Sequence, residues 1–378
     1  MNGTTVRVRR TGGTLRVGEP PAHPEWTALV EARGAVLTWD VPAESAVPAA
    51  EIHDAALAAD WLWQLYGSAA DTVLAVADGA EPVEITLPED AGRSPVALAL
   101  RRLALLGWQE AWWPASFVAG VPALPAVPRR VEAAVVAADV EELLDDEDAV
   151  ERLLLRATAS GHPPAALTAL FDHPELGEQA LELADRLAEV AEVWGVPPTV
   201  PARTEPRPAA WALAAGGTVD AGLGGPSGGG PVDWTLVPAG LVDAGAGLRW
   251  ALVRRQERSL LEVAVPRAPG APAEAVAAPL RARGDGVEFD LGMSDDGREF
   301  VGAGAVPATA LLVPAARRRV VVWAPEFAPA GAEPAPAAEL AERQSAVLAY
   351  ARRRLAAPDG SLAERAAALL GHEYGDGS

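Results

Sequence analysis

RARGDGVEFDLGMSDDGREFVGA, residues 281–303, decides how the second half of this chain is read. Val287, Phe289, Leu291 and Met293 alternate with Glu288 and Asp290, the period of a strand with one wet face and one dry face. Asp285-Gly286 and Asp296-Gly297 punctuate it as hairpin turns, because both residue types tolerate the left-handed backbone that such turns need. On either side of it, LRWALVRR, SLLEVAV, PLRAR, REFVGA, TALLV and RRVVVWAP are short segments of similar pattern. Seven strands in roughly a hundred residues predict a β-sandwich, immunoglobulin-like or related, over 232–327. The chain has no cysteine, so the disulfide of that architecture is impossible and no family follows from it.

Upstream, residues 201–231 read as a Gly/Pro linker. GLGGPSGGG (222–230) imitates a phosphate-cradling loop, but Ser227 stands where a dinucleotide fingerprint needs glycine, and Pro226 interrupts it. Residues 131–200 form an acidic helical segment, with 3 Arg against 16 Asp and Glu in a chain of net charge −21. Glu141, Glu142, Asp145, Asp146, Glu147 and Asp148 lack the alternation and turn glycine of a calcium loop. They read instead as a solvated helix start or as a docking face for a partner with a basic surface. The same charge argues against nucleic acid and anionic membranes as partners. Leu176, Ala180, Leu183, Leu187, Val190 and Trp194 predict one apolar face of a helix that Gly195 and Pro197 stop.

The first 130 residues alternate strand and helix signals and read as an α/β region, making the whole an α+β multidomain chain. TVRVRR and TLRV predict a hairpin. PEWTALVEAR predicts a short helix opened by Pro24, AVLTWDV a strand, EIHDAALAADWLWQLYG a helix and PVEITL a strand. Ser94-Pro95 opens a helix that must end before Pro114, in the run LLGWQEAWWPAS. Trp108, Trp112 and Trp113 are therefore either a core plug, with Trp61 and Trp63 as neighbours, or a contact platform. FVAGVPALPAVP (117–128) is a connector. The tail, 328–378, holds a second linker and a helix with Leu340, Val347, Leu348, Ala351 and Leu355 on one side. It ends in a helix that Ser361 and Glu364 open as a capping box. Arg352, Arg353 and Arg354 sit near a helix C-terminus, where cations are favourable, and Arg317–Arg319 mark the entry to the last strand.

All 31 basic residues are arginine, so Schiff-base and phosphate-loop lysines are excluded along with cysteine nucleophiles and thiolate metal sites. The five histidines stand in no metalloprotease or triad signature. No run is apolar enough to span a bilayer and no secretory signal opens the chain, so a cytoplasmic bacterial protein without a cofactor is expected. The expected function is a non-enzymatic interaction, adaptor or regulatory component of a bacterial multi-protein system, of the defence or signalling kind. It would dock through the acidic helices and the sandwich. The rival is a hydrolase-type enzyme with its site beside Trp61, Trp108 and Trp112, drawing on His53, Asp54, Asp60 or Glu110. A third reading folds the 338–356 helix back as an autoinhibitory switch.

Overall fold

A computed structural model describes residues 4–159, 161, 163–196, 225–255, 258–271, 276, 279–329, 331–357 and 360–373. It combines helices with antiparallel sheets, an α+β protein, and divides into two compact units. The first comprises Met1–Ala111, Leu124–Thr204 and Arg353–Ser378; the second comprises Trp112–Ala123 and Glu205–Arg352.

The first unit is built on a six-stranded sheet in the order β3-β4-β5-β2-β1-β6. Its strands are β1 (Thr5–Thr11), β2 (Thr14–Val17), β3 (Thr27–Ala32), β4 (Ala35–Asp40), β5 (Ala49–Ile52) and β6 (Val83–Thr86). β1 and β2 form the expected hairpin, with Thr11 opposite Thr14. One face buries Val8, Leu15, Val17, Val30, Leu37, Trp39 and Ile52, while Arg7, Arg9, Arg16, Glu31 and Glu51 on the other are exposed. PEWTALVEAR is not a helix. Pro24 opens only a 3-10 turn (Pro24–Trp26), and Thr27–Ala32 then pairs with β4. Ala28, Val30 and Ala32 bury on alternate positions, so the strand period wins over the proline start signal.

The helix expected over EIHDAALAADWLWQLYG is also broken. Ile52 ends β5, and the Asp54 carboxylate caps α1 (Ala55–Ala59) by accepting from the Ala56 and Leu57 N–H groups. α2 (Trp63–Tyr66) and α3 (Ala70–Leu74) follow as separate short pieces. The Ser94 hydroxyl accepts from the Ala97 N–H at 3.0 Å to open α4 (Pro95–Trp112), which stops before Pro114 as expected. The acidic segment is helical: α5 (Ala126–Asp139), α6 (Ala149–Thr158), α7 (Ala165–Thr168) and α8 (Gly177–Val193). On α8 the dry face runs through Ala180, Ala184, Leu187 and Ala191, with Leu176 at its N-cap, leaving Leu183 and Val190 half-buried.

The second unit carries a seven-stranded antiparallel sheet in the order β13-β10-β11-β12-β9-β8-β7. The strands are β7 (Ser227–Gly230), β8 (Leu248–Arg255), β9 (Arg258–Pro266), β10 (Leu280–Gly284), β11 (Val287–Met293), β12 (Glu299–Val306) and β13 (Val321–Trp323). The Asp285-Gly286 turn has φ of 50° and 80°, and Phe289 and Leu291 bury on one side as the alternation requires. The expected two-layer sandwich is a single curled sheet, a half-barrel. TALLV is a 3-10 turn (Ala308–Leu312) rather than a strand, and the remaining hairpins pair with their neighbours instead of supplying a second layer. Its concavity is filled by Trp250, Leu252, Leu261, Val263, Phe289 and Phe300. Gly304 permits this, since a Cβ there would collide with the Phe289 ring.

Of the 201–231 linker, residues 201–224 lie outside the described residues. Ser227–Gly230 is not a tether but an edge strand, with Gly229 opposite Arg249. The second linker is fixed as well: the Ala335 N–H donates to the Asp233 carboxylate at 3.1 Å, and Arg283 donates to the Ala332 carbonyl at 3.1 Å. α9 (Ala337–Leu355) buries Leu340, Val347, Tyr350 and Ala351, and Gln344 donates to the Val232 carbonyl at 2.6 Å. The Ser361–Glu364 capping box closes reciprocally, at 3.1 and 2.9 Å, to open α10 (Leu362–Glu373).

Candidate docking surfaces

The groups named for a hydrolase do not converge. Asp54 is spent as a helix cap, His53 and Asp60 are exposed, and Glu110 stands 4.0 Å from Arg129 and from Arg130. Among the described residues no group of three or more His, Asp and Glu is placed to hold a metal ion. No helix among them is long and apolar enough to cross a membrane.

Trp61, Trp108 and Trp113 are occupied, whereas Trp63 is 55% exposed and packs in no core, because its helical turn is broken off from the expected helix. Trp108 is 2% exposed and donates to the Glu25 carbonyl at 2.9 Å; Trp61 donates to the Arg33 carbonyl at 3.0 Å. Trp113 is buried and donates to the Pro122 carbonyl at 2.8 Å, and Trp112 is half-buried. Buried indoles with satisfied N–H groups offer no open platform.

Within the first unit, a cleft of about 430 Å³ is lined by Arg101, Arg102, Gln109, Arg354, Glu364 and Arg365, among others. Its charges are committed internally. Arg354 grips Glu364 with a fork at 3.0 and 2.8 Å, and Gln109 donates to the same carboxylate at 2.9 Å. Glu132, 1% exposed, accepts from Arg102 at 3.1 Å and from the Leu362 N–H at 2.8 Å. Burial pushes the Glu132 carboxyl up, against the pull of the Arg102 guanidinium. This network fastens the start of α10.

The rest of the arginine run is used in the same way. Arg353 donates to the Pro42 carbonyl and lies 3.6 Å from Glu44. In the other triplet only Arg318 is buried, bonded to the Ala310 carbonyl at 2.6 Å, 2.7 Å from Asp285 and over the Trp250 ring.

The acidic residues are free to act outward. Glu141 and Glu142 stand on a 3-10 turn, and Asp145, Asp146, Glu147 and Asp148 lead into α6; all six are exposed. Asp146 pairs with Arg152, whose guanidinium holds its carboxyl below the usual range.

Absent from the expected sites is one feature of the second unit. Phe117 and Val118 are 72% and 73% exposed, adjacent, at the tip of a loop in which Ser116 and Val121 pair at 2.7 and 2.9 Å. The loop is held from beneath by Asp243, 2% exposed. That carboxylate accepts from the Ser116 hydroxyl at 2.5 Å and from the Phe117 N–H at 2.8 Å. It also accepts from the Gly245 and Ala246 N–H groups at 2.9 and 3.0 Å. From the side, the Arg352 guanidinium donates twice to the Ala119 carbonyl, at 3.0 and 2.7 Å. Its trace in the sequence is faint: a Phe-Val pair between Ser116 and Gly120, belonging to no periodic segment.

No known protein family, curated protein or solved structure matches the chain. Two further concavities lie on sheet faces. One, about 610 Å³, is floored by Ala251, Ala264, Val301 and Ala303 on the second sheet. The other, about 640 Å³, lies among Arg7, Arg9, Arg16, Val36, Thr38 and Glu51 on the first.

Proposed function

We propose that this chain is a non-enzymatic interaction component of a bacterial multi-protein system, acting in the cytoplasm. It would dock a protein partner through the Phe117–Val118 loop and steer a basic partner with the exposed acids at 141–148. The observation that carries the reading is the pinned loop. Two large apolar side chains are held in water on a backbone tied by a buried carboxylate and an arginine fork. Such a loop gives up little freedom on binding, and burying Phe117 and Val118 removes on the order of 200 Å² of apolar surface from water, about 5 kcal/mol of transfer free energy. The exposed acids would add encounter rate more than affinity, and that part would weaken with salt.

Affinity purification from the native host, at low and moderate salt, tests this reading. A stoichiometric partner retained by the parent protein should be lost on joint Phe117→Ser and Val118→Ser substitution. Neutralising Glu141, Glu142 and Asp146–Asp148 should slow its capture and flatten the salt dependence. A partner that binds both variants as well as the parent refutes the assignment of these surfaces.

A further inference from the structure

Register places a charge pattern on the open face of the first sheet that the linear sequence conceals. Arg9 lies opposite Arg16, Arg16 opposite Glu51, Glu51 opposite Val36, and Val36 opposite Glu31. The row continues past the last strand. Ala32 bridges Leu144 antiparallel, with Arg33 N–H to Leu143 carbonyl at 2.8 Å and Asp145 N–H to Glu31 carbonyl at 3.2 Å, so Asp145 stands opposite Glu31. Ala32 and Leu144 are buried; Glu31 and Asp145 are exposed on the other side.

One line across the sheet therefore reads Asp145, Glu31, Val36, Glu51, Arg16, Arg9. Like charges oppose each other at both ends, which costs stability in an isolated sheet. Only the Glu51–Arg16 pair, at 3.4 Å, is neutralised within the row. Arg9 has no ion-pair partner among the described residues; its neighbour Arg7 faces Glu84 across β6.

The row is complementary to its own reverse. We infer that a second copy of this chain covers this face, through a two-fold axis parallel to the strands between β4 and β5. That rotation sets Asp145 against Arg9 and Glu31 against Arg16 of the other copy, each twice, and places Val36 over Glu51. A two-fold axis along the row would set acid on acid, so the charges select one dimer. The contact is isologous and closes on itself. Its strands run aligned across the interface, as in a sandwich. Five strands at ~4.8 Å and about five residues at ~3.4 Å, with the residue 145 edge beyond them, give roughly 400 Å² per copy, near 800 Å² in all, the size of weak and transient contacts. The dimer is accordingly weak, reversible and salt-sensitive.

Sedimentation velocity over a concentration series, at low and high salt, tests it on the full chain. The parent should dimerise at low salt, with a dissociation constant about tenfold or more higher at high salt. Arg9→Glu with Arg16→Glu makes the face wholly acidic at these positions, and Glu31→Arg with Asp145→Arg makes it basic. Each variant alone should be monomeric, and an equimolar mixture should form a heterodimer, which shows in the same experiment that both are folded. A monomeric parent at low salt, or variants that self-associate like the parent, would overturn the inference. The Phe117→Ser, Val118→Ser protein should dimerise unchanged, so loss of the docking loop and loss of the dimer are separable results.

Discussion

Removing the Asp243 side chain should release the Phe117–Val118 loop while leaving both apolar residues in place. In Asp243→Ala the Phe117 and Gly245 N–H groups lose their acceptor, the Ser116 hydroxyl loses its own, and Ala246 keeps only its 3.3 Å backbone bond to the residue 243 carbonyl. Hydrogen bonds to a charged acceptor contribute about 1.5–3 kcal/mol each, but donors at the loop tip regain water once the loop opens. The net loss is about 3 kcal/mol, which at ~1.4 kcal/mol per factor of ten is somewhat over a hundredfold in the opening equilibrium. Asp243→Asn separates charge from shape. Its oxygen can still serve Ser116, Gly245 and Ala246, but its amide meets the Phe117 N–H donor to donor, so about 1–2 kcal/mol should go.

Hydrogen exchange over residues 113–123 reads this directly. Exchange of the Ser116 and Phe117 amides should accelerate about a hundredfold in the alanine variant and about tenfold in the asparagine variant. Partner binding should weaken in the same order, because the loop must then be ordered at the moment of docking. Unchanged exchange in Asp243→Ala would refute the claim that this carboxylate holds the loop, and the docking proposal would lose its support.

Three other perturbations probe the frame. Glu132 is pushed up by burial, so its contribution to stability is complete below the ordinary carboxylate range and lost as pH rises through its folded value; Glu132→Gln should gain on the parent as pH rises from 4 to 8 in urea unfolding. A parent-minus-variant difference that is flat with pH would show that Glu132 titrates alike in both states. Gly228→Ala puts a methyl 2.6 Å from the buried Trp250 ring and should cost about 1–3 kcal/mol, with faster exchange along Ser227–Gly230. Trp108→Phe strips the 2.9 Å bond from the Glu25 carbonyl and should lower stability by about 1–3 kcal/mol in a denaturant melt, without altering partner capture.

The local punctuation of the fold is legible in the chain itself. Ser94, Pro114, Ser361 with Glu364, and Asp285-Gly286 act where elementary stereochemistry puts them, since caps and turns are decided by a few adjacent residues. What misleads is competition between periods. TALVEA offers apolar residues at both helical and strand spacing, and only the partner strand Ala35–Asp40 resolves it. The half-barrel is out of reach of the sequence for the same reason. Whether seven strands form one layer or two depends on pairing between distant segments, such as Val301 with Ala264, which alternation does not encode.

The surfaces are less legible than the core, for a physical reason. Burial leaves a periodic trace because a face must be continuously apolar, whereas a docking surface needs only that a few residues be held where water reaches them. Phe117 stands out in no window of sequence; its exposure follows from Asp243, more than a hundred residues away. The charge row is the stronger case. Arg9, Arg16, Glu31, Glu51 and Asp145 are ordinary solvated residues along the chain, and each pair is adjacent only through register. A slip of one residue in β2 would turn Arg16 inward and Leu15 outward, abolishing the row and unburying the core together. The pattern that makes this face complementary to its own reverse is therefore fixed by the same hydrophobic alternation that fixes the sheet.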